Sequence, residues 1–176
     1  MVNKKNLLDE FIQIIDSIYG VYLDSTLGFK LLNEYIQKMQ RKSLLLIGKD
    51  ATIEKLDMAE FIYGIGFPPK QKNFRDQGLL HITTQGELKE RNKEGGENFI
   101  VAGNMCMVQI YQYWEDKYRE EIAQTMSLTK NQLKSDIFGE LRYIRVCVIH
   151  NNGIATSELE KKVKIVGIDS YTPDNK

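Results

Sequence analysis

The chain has 176 residues, with 24 basic and 24 acidic side chains and a formal net charge of zero. That length can bury the core of one domain. A neutral balance argues against a general binder of long duplex nucleic acid, which carries a strong basic excess. The two cysteines, Cys106 and Cys147, are too few for a disulfide framework and lack metal-ligand spacing. Both lie in apolar helical patterns and read as reduced core residues.

In chain order the pattern is helical. Leu7, Leu8, Phe11, Ile12, Ile15 and Ile18 predict an amphipathic first helix. Gly20 and the polar Asp24-Ser25-Thr26 are expected to interrupt or kink it. Phe29, Leu32, Tyr35, Ile36 and Met39 predict a second helix, and Ile53 to Tyr63 a third that stops near Gly64 and Gly66. Pro68-Pro69 then forbids helix and opens a polar stretch to about Gly96, with room for a short helix around Leu79 or a small hairpin. Such a stretch exceeds an ordinary loop, so it reads as an insertion at about 67–96 that covers a site or meets a partner, more mobile than the bundle. A long helix follows from about Glu97 to Gln124 through Phe99, Ile100, Cys106, Met107, Ile110 and Trp114. Thr129-Lys130-Asn131-Gln132 matches a capping box, for the next helix or for a turn before it. Ser157-Glu158-Leu159-Glu160 offers another cap, beginning a C-terminal arm at 157–176 with Val163, Ile165 and Ile168 as a short strand and a frayed end from Tyr171.

The expected fold class is therefore all-α: an up-and-down bundle of about four to six helices in one domain, residues 1–176, with a short β element in the insertion or at the C-terminus. Early acids at Asp9 and Glu10 break any signal-peptide pattern. The longest aliphatic run, Leu44 to Ile47, is far too short to span a bilayer. A cytoplasmic protein without a membrane partner is expected. Three local basic groups (Lys38, Arg41, Lys42; Lys70, Lys72, Arg75; Lys161, Lys162, Lys164) read as solvated faces.

The informative stretch is Arg145-Val146-Cys147-Val148-Ile149-His150-Asn151-Asn152-Gly153. A fixed guanidinium can grip a phosphate, and an imidazole moves protons near neutral pH. Arg75 and His81 have similar spacing, but their segment contains Gly78 and reads as a loop. His150 instead closes a helix in which Ile137, Leu141, Ile144 and Val148 form one apolar stripe. At about 100° per residue, Arg145 sits at the stripe's edge and His150 on the far side, beside Tyr143, Val146 and Cys147. A helix apolar on two sides is buried on two sides. One side faces its own bundle and the other suits a second copy. Arg145 and His150 point about 140° apart, so one straight helix cannot aim both at one phosphate. Two copies around a twofold axis can. Each residue has a plainer reading: Arg145 paired to a buried carboxylate, His150 a cation at a helix C-terminus.

Glu140 to Ala155 resembles the signature helix of the HEPN superfamily (higher eukaryotes and prokaryotes nucleotide-binding domains), in which an arginine precedes a histidine by a few residues near the end of a long helix. Tyr111-Gln112-Tyr113-Trp114-Glu115-Asp116-Lys117-Tyr118-Arg119 is similar to the aromatic helix before that motif. The resemblance spans residues 97 to 156. It implies a helical bundle that dimerises through the motif helices and a metal-independent endoribonuclease without cofactor, of toxin or phage-defence type. It implies Arg145 and His150 as the catalytic pair, with Arg142 and Asn151 as substrate-binding or supporting contacts. RNA is then the substrate, and an antitoxin or a nucleotidyltransferase a partner. Where many active members carry a polar residue after the arginine, this chain has Val146. The alternative is a catalytically silent helical module that binds nucleotides or protein, as an antitoxin or assembly subunit; Val146 and the neutral charge favour it. Other chemistries lack their residues: there is no phosphate-binding glycine loop, nucleophile elbow or metal-spaced Cys/His cluster.

Overall fold

A computed structural model of the protein describes residues 4–48, 51–64, 79–151, 153 and 157–163. The fold is all-α with one small antiparallel hairpin. In order, the elements are α1 (Lys4–Ile47), α2 (Ile53–Asp57), β1 (Glu60–Gly64), β2 (Leu79–Thr84), α3 (Gln85–Asn92), α4 (Glu97–Tyr113), a π-helical turn (Trp114–Tyr118), α5 (Arg119–Thr125), α6 (Asp136–His150) and α7 (Ser157–Lys162). No helix of the described residues is long and apolar enough to cross a membrane. The chain divides into two compact units, 1–23 with 102–176, and 24–101.

The first unit is held by an aromatic core. Phe11 of α1 stacks on Tyr118, with ring centroids 4.6 Å apart, and Trp114 stacks on Phe138 of α6 at 4.2 Å. Leu7, Tyr111, Ile122 and Leu141 complete the buried cluster. Aromatic rings bring the largest apolar area per side chain, and stacking adds about 0.5–1.5 kcal/mol per pair. The π turn places both Trp114 and Tyr118 in this core, widening the helix by a residue between two straight segments. The Tyr118 hydroxyl donates to Glu10, which Lys117 also pairs at 2.8 Å. Glu115 clamps the connection to α6: Arg119 and Lys130 both pair with it at 3.0 Å, and Arg119 Nε donates to the Leu133 carbonyl. Burial would raise the Glu115 carboxyl, but its Lys130 and Arg119 donors outweigh burial and hold it below the usual carboxylate range.

The second unit is knit by polar groups. The hairpin pairs Phe61 with Thr83, Ile62 with Ile82 and Tyr63 with His81. Thr84 then caps α3 in a reciprocal box with Glu87, whose carboxylate also accepts from the Thr83 hydroxyl. α3 buries Leu88 and Asn92. Behind it, the buried Gln40 of α1 donates to Asp57 at 2.7 Å and accepts from Lys89 at 3.0 Å, and Lys89 pairs with Asp57 at 2.6 Å. The Lys89 donor holds the Asp57 carboxyl below its ordinary value against the pull of burial. Asn33 donates to the Lys89 carbonyl, so α1 meets α3 through amide groups.

Three predicted elements change. The first two helices are one: α1 runs 44 residues without a break at Gly20 or Asp24-Ser25-Thr26. A helical glycine costs only about 0.5–1 kcal/mol, and α1 contains no proline to remove a ladder bond. The third predicted helix ends at Asp57, and Glu60–Gly64 is a strand. Phe61, Ile62 and Tyr63 are strand formers, and the strand 79–84 that pairs with them is remote in sequence. The polar stretch up to Gly96 supplies that strand and then the capped helix α3, while Pro68 and Pro69 lie outside the described residues. The predicted helix from Glu97 to Gln124 is present as α4, the π turn and α5. Thr129 and Gln132 form a turn before α6, which starts at Asp136. The arm from residue 164 onward lies outside the described residues.

Candidate functional site

α6 carries the motif. Its Leu141 and Cys147 are buried, with Phe138 and Ile144 packed beside them. Cys147 meets Val163 just beyond α7, and Lys162 lies over the Tyr143 ring at 4.8 Å. The side of the helix that includes Tyr143 and Cys147 is therefore covered within the chain.

The uncovered side is narrower than the sequence pattern suggests. It presents Arg142, Val146, Ile149 and His150. Val146 is 38% exposed and Ile149 45%. At about 100° per residue, Arg142, Val146 and Ile149 fall within about 60° of one another, and Arg145 and His150 flank them on opposite sides. The two residues are not brought together in one chain: they are about 140° apart and about 7.5 Å apart along the axis.

Their surroundings differ. Arg145 is half-buried, and its guanidinium carbon lies 5.7 Å from the centroid of the buried Tyr111 ring of α4. A cation over an aromatic face is held by the ring quadrupole. Arg145 Nε is buried and has no hydrogen-bond partner among the described residues. Among the described residues no carboxylate forms an ion pair with the guanidinium, which rests on the Tyr111 ring. His150 is exposed at the last position of α6. Asn151 is half-buried and caps the helix, its backbone N–H donating to the Cys147 carbonyl at 3.0 Å. The same carbonyl accepts from Gly153 N–H at 3.1 Å, with Gly153 at φ +77°. This left-handed turn is the way glycine commonly ends a helix, and it fixes where the helix, and therefore His150, ends.

Two contacts were not read from the pattern. Tyr111 belongs to the aromatic helix, but its role beneath Arg145 depends on a separation of 34 residues that only packing closes. Asn104 lies two turns before Tyr111 on α4, and its amide nitrogen would be 3.3 Å from a Cβ at Gly153. α4 thus supports both ends of the motif. His81 stands elsewhere, exposed on β2, with Arg91 Nη1 3.4 Å from its Nε2. Arg75 lies outside the described residues. Among the described residues no group of three His, Cys, Asp or Glu side chains could hold a metal ion. Cys106 is half-buried, and burial pushes its thiol above the ordinary value.

Comparison of the chain with protein-family models, with characterised proteins and with solved structures finds no match.

Proposed function

We propose that the protein is a metal-independent endoribonuclease of the kind the HEPN resemblance implies, acting as a toxin or phage-defence effector. The observation that carries the reading is the arrangement on α6: a half-buried arginine held over Tyr111 and an exposed histidine flank an uncovered strip with an apolar centre. A second copy packed on that strip around a twofold axis would bring each Arg145 toward the partner's side of the strip and complete a composite site. In that site His150 serves as general base or acid towards the ribose 2′-hydroxyl. Arg145 stabilises the charge that develops on the phosphoryl oxygens through its N–H donors. Arg142 and Asn151 position the backbone. RNA cleavage in EDTA tests the reading. His150→Ala and Arg145→Ala should each lose about a hundred- to ten-thousandfold in rate, while His81→Ala keeps it. Equal cleavage by His150→Ala would exclude it.

Val146 favours a second reading, because an aliphatic group is central on the strip where a polar one would contact substrate. A silent module would use the same strip to bind an antitoxin or assembly partner. Expression of the chain alone separates the two: a toxin arrests growth and a scaffold does not.

A further inference from the structure

The second unit leaves its own surface unaccounted for. Within it, one side of α1 carries Asn33 and Gln40, which enter the polar network, and Phe29, which packs on Phe99 of α4; Leu32 and Ile36 share that side, and all five are buried or half-buried. The opposite side carries Leu27, Leu31, Tyr35 and Met39, each between 43% and 56% exposed. Four large apolar side chains left in water in one row mark an interaction surface. Their spacing is four throughout, so they form a single ridge inclined to the helix axis. Such a ridge winds by about 40° per step, which a flat lipid surface cannot follow, but it fits the groove of another helix, the commonest helix–helix packing.

The ridge also matches itself. Aligned antiparallel about residue 33, Leu27 of one copy meets Met39 of the other, and Leu31 meets Tyr35. Beyond the apolar pairs, Asp24 meets Lys42. These two lie 18 residues apart, about five full turns, and so share one side of the helix with the ridge. Both are exposed, and neither has an ion-pair or hydrogen-bond partner within the chain among the described residues. A ridge with an acid at one end and a base at the other is complementary to its own reverse, which is what an isologous interface requires.

We infer that this face of α1 is a homodimer interface, in which Leu27, Leu31, Tyr35 and Met39 interdigitate with the same residues of a second copy and Asp24 pairs with Lys42 across both ends. It is distinct from the α6 strip and does not depend on nuclease activity. Light scattering of the full chain tests it. Val146→Glu, which charges the α6 strip, should leave a dimer, and adding Leu31→Glu should give a monomer. In the Val146→Glu background, Asp24→Lys or Lys42→Asp should weaken the dimer about tenfold, and the double swap should restore it. Leu31, Asp24 and Lys42 face solvent in one chain, so these changes spare its fold, which circular dichroism checks. A monomeric Val146→Glu protein, or a double swap no tighter than its single parents, would overturn the inference while leaving the α6 reading intact. A Leu31→Glu protein that is monomeric with Val146 present would support this interface and exclude the α6 dimer. Binding of phosphatidylserine vesicles or single-stranded RNA that Leu31→Glu removes, with no dimer formed, would assign the ridge to that ligand instead.

Discussion

The Arg145 guanidinium rests over the Tyr111 ring, 5.7 Å from its centroid, while its Nε lacks a hydrogen-bond partner among the described residues. The ring supports the guanidinium from one face without consuming its hydrogen-bond donors.

Tyr111 is also part of the aromatic core, so its substitutions should separate the ring from the hydroxyl. Tyr111→Phe keeps the ring and should change stability by less than about 1.5 kcal/mol. Tyr111→Ala removes it and should cost about 3–5 kcal/mol. Urea unfolding of the two variants gives both figures; equal midpoints would mean that the ring is not packed as described.

Gly153 should be intolerant of a side chain. At φ +77°, an L-residue costs about 1–2 kcal/mol, and its Cβ would press on Asn104. Gly153→Ala should lower the unfolding free energy by about that amount, and Gly153→Val by more. Thermal unfolding at matched concentration reads the difference.

Acid should loosen the first unit through Glu115. Its folded-state pKa is depressed below the ordinary 4.5, so the native state binds that proton less readily than the unfolded chain. The associated stability is fully present above about pH 4.5 and fades as pH falls through the folded value. Denaturation midpoints measured from pH 6 down to pH 3 should fall, and more gently for Glu115→Gln, whose midpoint is already lower at pH 6. A Gln variant with the same steepness would remove Glu115 from the account.

If the protein cuts RNA as proposed, the nucleophile belongs to the substrate. Replacing one ribose by deoxyribose at the cleaved step should stop the reaction, and intact RNA should yield a 2′,3′-cyclic phosphate and a 5′-hydroxyl. Mass spectrometry of the fragments decides; 5′-phosphate ends would point to attack by water.

The motif helix was legible because its signals are local. Apolar spacing of three and four places α6, and Gly153 stops it where a glycine should. The same logic recovers the helical run from Glu97, since each turn sees only its neighbours. It fails where partners are remote. Residues 60–64 show a helix-like apolar pattern on their own, and only the strand at 79–84 gives their backbone groups a ladder. The unbroken α1 was hidden for the opposite reason: the polar residues at 24–26 signal a break locally, while the helix bonds cost little to continue. Arg145 and His150 can be found by spacing. That one is half-sunk over Tyr111 and the other open to water depends on which face α4 covers.

The π turn at 114–118 has a bearing on how this chain can change length. A turn that holds one residue more than its neighbours is a place where the helix has absorbed an extra residue without ending. Losing one residue there would restore regular winding and rotate Trp114 and Tyr118 relative to each other, so the backbone would accept the deletion while Phe11 and Phe138 would not. The aromatic stack therefore keeps the count of residues in this helix, a task that no backbone hydrogen bond performs.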